Sequence, residues 1–227
     1  MAASGAEAGN ATSSGTWRSC FPGEEVLDFS GFEKGAEEAA RELLGCHLLS
    51  LVGDEPSGGR IVETEAYVGP RDPACHAAER TGRTRRNAPM FGPAGTAYVY
   101  FVYGMHWCFN VVAGRPGDPE AVLIRGVEPG IGVELMRERR GRESDLTNGP
   151  ARLCQAMAID GSMNEHPLSR PPLLLLTGPR PEASQIGVSG RIGIREARDW
   201  PLRFFLKGHP DVSPASPGPS GPTGAPQ

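Results

Sequence analysis

The sequence predicts an α+β domain: one curved, mostly antiparallel β-sheet, helices around it, and a β-hairpin that protrudes. Three observations carry this expectation. Strand-like segments outnumber helical ones and follow one another through hairpin-like connections. The helical segments are few, and their ends coincide with recognisable start or stop signals. Finally, a chain of 227 residues that is 38% hydrophobic can bury one substantial core, which favours a single folded unit.

Taken in order, residues 1–21 are expected to be a disordered tail, because their first part is mostly Ala, Gly, Ser and Thr. "SGFEKGAEEAARELLG" (Ser30 to Gly45) predicts a helix, with Ser30 and Glu33 as a capping box, an apolar face of Ala39, Ala40, Leu43 and Leu44, and Gly45 as its stop. "CHLLSLV" predicts a strand, "GDEPSGG" a polar loop, and "RIVETEAYV" a second strand. "YVYFVYGMHWCFNVV" (Tyr98 to Val112) predicts the hairpin, turning at Gly104-Met105. "AVLIRGV" (121–127) predicts a further strand. "GVELMRERRGR" and "NGPARLCQAMAI" predict helices, the second with Pro150 in its first turn. Short strands near Leu173–Leu176 and Leu202–Leu206 complete a domain spanning 22–210. Residues 211–227, with five Pro and three Gly, are expected to form a second disordered tail.

Bulk properties exclude several classes. No apolar run approaches the ~20 residues of a membrane span, and the N-terminus lacks the basic start and apolar core of a secretory leader. The expectation is a cytoplasmic protein, nucleoid-associated in a bacterium, with no membrane partner. The five Cys are widely spaced, with no CxxC pair and no Cys/His cluster at zinc spacing. They are read as reduced and mostly buried, with no metal site and no cofactor. The net charge of −4 is unevenly spread: residues 1–60 carry four basic and ten acidic side chains, the remainder nineteen and seventeen. Of the basic residues, 21 are Arg and two are Lys. Arg is the better bidentate phosphate ligand, although joint enrichment in Arg, Gly, Ala and Pro also fits compositional bias.

Three segments hold residue types that do chemistry. On the strand "RIVETEAYVGP", side-chain alternation puts Glu63, Glu65 and Tyr67 on one face and Val62, Thr64 and Ala66 on the other. The first face is either a polar sheet face or a general base beside a stacking platform. Arg125 lies in an otherwise apolar strand and requires a buried partner, for which Glu63 and Glu65 are candidates; a structural ion pair and a catalytic role both fit. "GPRDPACHAAERTGRTRRNAPMF" is a 23-residue loop without clear periodicity, carrying His76 and five Arg including Arg86. Such loops inside compact domains are often functional.

The hairpin concentrates the aromatics. Six of the chain's fifteen Phe, Trp and Tyr residues lie between Tyr98 and Phe109. Tyr103 and Met105 stand at the tip, where an exposed apolar pair is a candidate wedge between stacked bases, while Tyr100 is placed to line a pocket. The alternative is that the hairpin is simply aromatic core.

The blocks "GRIVETEAYVGPRDPACH", "RRNAPMFGPAGTAYVYFVYGM", "CFNVV", "VLIRGVEP" and "GPARLCQAMAI" occur in this order. Together they resemble the alkyladenine DNA glycosylase family, the 3-methyladenine glycosylases of the methylpurine type, over residues 35–210. The resemblance implies a monofunctional enzyme of base excision repair. Glu65 matches the general base and Arg125 the Arg that helps hold the attacking water. Tyr67, His76 and Tyr100 match the groups around the extruded base, and Asn110 the pocket-floor Asn that disfavours guanine. Tyr103 matches the tip Tyr that fills the vacated space, with Met105 beside it. Arg152 falls where the family has a basic DNA contact, and Arg86 is placed with it on the DNA backbone. The implied partner is duplex DNA containing damaged purines, bound by a monomer. The polar segment before "GPARL" is short, and His106-Trp107 follow the tip; both depart from the family pattern. A non-catalytic nucleic-acid-binding domain of the same fold is the alternative.

Overall fold

In the computed structural model, which describes residues 16–53 and 55–214, three α-helices surround one curled antiparallel sheet. Its strands are β1 (His47–Ser50), β2 (Ser57–Tyr67), β3 (Ala97–Val102), β4 (His106–Ala113), β5 (Glu120–Ile131), β6 (Ser169–Arg170), β7 (Leu173–Leu176), β8 (Ile186–Ser189) and β9 (Arg203–Leu206). They run in the spatial order β3-β4-β5-β2-β1-β7-β6, and β8 pairs with β9. β2 is the spine. It pairs with β5 along most of its length, with β1 at residues 57–60 and with β9 at residues 63–65. Register shifts on either side of Glu63 bend the strand there, as β-bulges do.

The helices are α1 (Ala36–Glu42), α2 (Val133–Arg140) and α3 (Pro150–Ala156). The first is shorter than its sequence pattern predicts. Ser30–Lys34 form a 3₁₀ turn, and Gly35, at φ 126°, separates it from α1. The expected capping box does not form, because the Ser30 hydroxyl donates to Asp28 instead. The orphan amide at the start of α1 is met by a distant side chain, with Ala36 N–H donating to Glu120 Oε2 at 2.6 Å. Pro150 occupies the first turn of α3 as expected, and Gly132 and Gly141 flank α2 in left-handed conformations.

Gly58 and Gly59, expected in a loop, belong to β2. A Cβ on Gly59 would lie 1.9 Å from the Glu128 carbonyl oxygen, so only glycine lets the two strands approach there. One face of the sheet carries Ile61, Ala66, Val99, Phe109, Val111, Val122 and Ile124 into a core completed by α1 and α3. Thr64 faces the same way, its hydroxyl donating to Ala40 O of α1. The alternation expected for β2 therefore holds for Thr64 and Ala66, which face the helices, whereas the register shift beside Glu63 leaves Ile61 rather than Val62 in that core.

Both ends of the folded unit extend past their expected boundaries. Trp17 packs with Leu49, Leu174 and Leu176, although it falls within the segment read as tail. Asp211–Pro214 also belong to the fold, and Ser213 is buried against Glu63. Composition gave no sign of this, because one indole and one hydroxyl decide it. The rest of both expected tails, residues 1–15 and 215–227, lies outside the described residues. No helix among the described residues is long and apolar enough to cross a membrane.

Candidate active site

The second face of the sheet builds the site, and strand register explains how. Tyr98 stands opposite Asn110, Asn110 opposite Leu123, and Leu123 opposite Glu65. One step along, Tyr100 faces Cys108; one step the other way, Val112 faces Ala121, and Ala121 faces Tyr67. Two-residue periodicity thus collects Tyr98, Tyr100, Cys108, Asn110, Ala121, Leu123, Arg125 and Tyr67 onto one surface. Above it lies a slot of about 330 Å³, closed by Ala74, Cys75 and His76 from the long loop, by Ile192–Ile194, and by Tyr103 at the hairpin tip. That volume suits a small planar ligand.

The slot is walled by rings. The His76 and Tyr100 centroids lie 4.5 Å apart at 68°, and those of Tyr98 and Tyr100 5.2 Å apart. His76 Nδ1 is hydrogen-bonded to Tyr98 Oη at 2.8 Å. Burial, and secondarily the Arg86 cation, lower the His76 pKa to about 4, so the imidazole is neutral near neutral pH. Asn110 is buried, and its Nδ2 donates to Tyr98 O at 3.0 Å.

Glu65 is fully buried behind this wall and does not itself line the slot. Its oxygens are held by three groups that do. Ile192 N–H donates to Oε1 at 2.7 Å, Tyr67 Oη donates to Oε2 at 3.0 Å, and Arg125 Nη1 lies 3.3 Å from Oε2. Burial pushes the carboxyl above its ordinary range. Arg125, the Ile192 amide and the Tyr67 hydroxyl oppose that rise, and the Glu63 charge adds to it. Burial also raises the Tyr67 hydroxyl well above an ordinary tyrosine, so it remains a donor.

The long loop owes its order to polar side chains. Buried Asn87 donates to His76 O and Gly82 O. Asp72 and Arg191 form a fully buried bidentate pair, with Nη2 to Oδ1 at 2.8 Å. The Arg191 guanidinium also lies 4.7 Å from the Tyr67 ring centroid, on the residue next to the amide that holds Glu65. Sequence reasoning missed Asp72, Arg191 and Ile192, since their roles depend on contacts between residues 119 (Asp72 and Arg191) and 127 (Glu65 and Ile192) positions apart.

The structure brings Glu65, Arg125, Tyr67, His76, Tyr100 and Asn110 together at the slot. Tyr103 and Met105 stand clear at the tip, 81% and 68% exposed. The turn differs in detail from expectation: Tyr103 and Gly104 both adopt positive φ, 54° and 69°, and Met105 N–H donates to Val102 O. Positive φ suits the Gly and costs the Tyr roughly 1 kcal/mol, so the tip side chain is held at some expense. Arg86 lies at the slot's rim, its Nη2 donating to Phe101 O and its guanidinium 5.0 Å from the Tyr100 centroid. Arg152 lies apart on α3, donating to Asn148 Oδ1.

The site is thus a ring-walled slot over a buried carboxylate, beside a projecting aromatic tip, and the relatives of this chain say to which class such a site belongs. A protein of Carboxydothermus hydrogenoformans is 49% identical over 177 residues, covering 77% of this chain and 91% of the relative. One of Agrobacterium fabrum is 50% identical over 186 residues (81% and 90%), and one of Methanoculleus marisnigri 45% over 193 residues (83% and 98%). All three bear the name "Putative 3-methyladenine DNA glycosylase". The class is that of DNA glycosylases, hydrolases that act on DNA. Within that class, the sequence profile of the family described as "Methylpurine-DNA glycosylase" matches residues 30–210, and this chain belongs to that family.

Proposed function

We propose that the chain is a monofunctional glycosylase that turns alkylated or deaminated purines out of duplex DNA, acts as a monomer, and leaves an abasic site. The observation that carries this reading is the contact set of Glu65: each of its three partners, Arg125, Tyr67 and Ile192, lines the ring-walled slot. A purine inside a duplex is out of reach, so it must be flipped into such a slot. Tyr67 stacks on one side, His76 and Tyr100 on the other, and Asn110 on the floor works against guanine. Glu65 is covered by Tyr67 and Arg125, so one of these must give way as the base seats; Glu65 then takes a proton from a water whose oxygen bonds to C1′, and the glycosidic electron pair leaves with the base. Arg125 steadies the water and the carboxylate.

Cationic lesions such as 3-methyladenine and 7-methylguanine gain a cation–π contribution of ~0.5–2 kcal/mol on the rings, and neutral His76 does not repel them. They also leave without acid assistance. Neutral hypoxanthine and ethenoadenine demand more of the leaving-group side, so slower release is expected for them. Strand cleavage through a Schiff base needs an amine. Lys34 ends a 3₁₀ turn before α1, and Lys207 Nζ donates to Ser184 O; neither lines the slot. Single-turnover release of 7-methylguanine and hypoxanthine from duplex DNA tests the reading, with borohydride trapping alongside. Base release without a trapped adduct is expected. Binding without release would identify a non-catalytic domain.

Tyr103 and Met105 supply the wedge, stabilising the gap where a nucleotide has left the stack. Tyr103→Ala should weaken binding to lesion duplex by roughly tenfold or more, the scale of lost unstacking compensation. Release of the same lesion from an already unpaired strand should change much less. Equal losses on both substrates would remove the wedge role.

A further inference from the structure

The chain beyond β9 closes behind Arg125. Ser213, 150 positions away from Glu63, donates its N–H to Glu63 Oε2 at 2.7 Å, and its hydroxyl lies 2.7 and 2.6 Å from Oε1 and Oε2. Glu63 Oε1 also accepts from Arg203 Nε at 2.6 Å and from Arg125 Nε at 3.2 Å. Arg203 Nη2 in turn holds Ser213 O at 3.1 Å. A hydroxyl donates one proton and keeps lone pairs to accept with, and Arg125 Nη2 donates to Ser213 Oγ at 3.4 Å. All three guanidinium nitrogens of Arg125 are therefore met: Nε by Glu63, Nη2 by Ser213 and Nη1 by Glu65.

We propose that Ser213, acting with Glu63, is a positioning residue for base excision, a C-terminal strap that fixes the Arg125 fork so that Nη1 stays on Glu65. A rigid planar fork held at two nitrogens has its third direction set. Neither Glu63 nor Ser213 lines the slot, so neither touches the base. The cluster is balanced, two carboxylates against two guanidiniums, and all four side chains are buried. Shape alone would not require it, since apolar residues could fill the same space. The inference rests on Glu65 as the base and Arg125 as its partner.

The strap has a readout in pH. Arg125 is the strongest of the groups holding Glu65 ionised against burial. Around Glu65 also lie the Ile192 amide and Tyr67 hydroxyl, which favour the ionised form, and Glu63, which opposes it. Arg191 stands across the Tyr67 ring, Cys108 lies on β4, and Arg203 is the cross-strand partner on β9. With Arg125 free to swing, Glu65 keeps its proton to higher pH, so the acidic limb of the rate profile moves up.

The test uses full-length Ser213→Ala, Ser213→Thr and Glu65→Gln in single-turnover hypoxanthine release across the carboxylate titration range, with lesion-duplex Kd measured in parallel. Ser213→Ala should slow release roughly ten- to a hundredfold, the scale of a small misplacement remote from the chemistry, at unchanged Kd. Its acidic limb should move to higher pH, and Ser213→Thr, which restores the hydroxyl, should recover both. Parental rate and limb in Ser213→Ala while Glu65→Gln is inactive would overturn the strap and leave the base assignment standing. A slower Ser213→Ala with an unmoved limb, not rescued by Thr, would also overturn it. If Glu65→Gln retains parental activity, the base assignment falls and the strap with it.

Discussion

Glu65→Gln is expected to slow release of both 7-methylguanine and hypoxanthine by about 10²–10⁴-fold, the usual contribution of a positioned general base. The substitution keeps the shape of the side chain and an oxygen able to accept the Ile192 N–H, which now donates at 2.7 Å. It removes the proton acceptor and the charge facing Arg125. Lesion binding, which depends on the rings and the tip, should persist, so the loss falls on the chemical step. The parent's pH profile supplies the sign. Glu65 must be ionised to accept a proton, and burial raises its pKa above the ordinary carboxylate range. Activity should therefore decline on acidification at a higher pH than a free glutamate would dictate. That carboxylate limb should be missing from whatever residual activity the amide variant retains. Parental rates on both lesions would refute the assignment.

The largest expected loss of stability is at Asp72. Asp72→Asn leaves Arg191 fully buried with its counter-charge gone. Breaking such a pair from one side costs about 3–5 kcal/mol. At roughly 2–4 °C per kcal/mol for a domain of this size, Tm should fall by about 6–20 °C. Asp72 also accepts the Val68 and Ala74 amides, and so fixes the start of the long loop. The double variant Asp72→Asn with Arg191→Met should recover much of the lost stability by removing the stranded cation. Its excision should stay depressed, because the Ile192 amide and the underside of Tyr67 lose their support. Calorimetry of the three variants checks the first part and single-turnover release the second. A Tm for Asp72→Asn within about 2 °C of the parent would show that the pair contributes little.

Much of the fold was legible because the relevant signals are local. Alternation in "RIVETEAYV" and "AVLIRGV" located β2 and β5, and the aromatic hairpin announced itself. Arg125 in an apolar strand called for acids, and Glu63 and Glu65 supply them at 3.2 and 3.3 Å. Other features were hidden because distance in sequence carries no local trace. Ser30 looks like a cap, yet Glu120 performs that service from 84 residues away. "DVSP" reads as tail, yet Ser213 is buried on Glu63. Gly58 and Gly59 read as loop because glycine usually marks one, whereas here strands approach too closely for any side chain. At the site, the ordered motif blocks named the slot residues. The supports behind them, Asp72, Arg191, Ile192, Arg203 and Ser213, lay outside periodicity altogether.

The union of Glu63 with a residue 150 positions downstream also bears on how the chain matures. Contacts so remote form slowly, because a long loop must close before they repay its entropy. On dilution from denaturant, helical and strand signals should return first, and catalytic competence should trail them until Ser213 docks on Glu63.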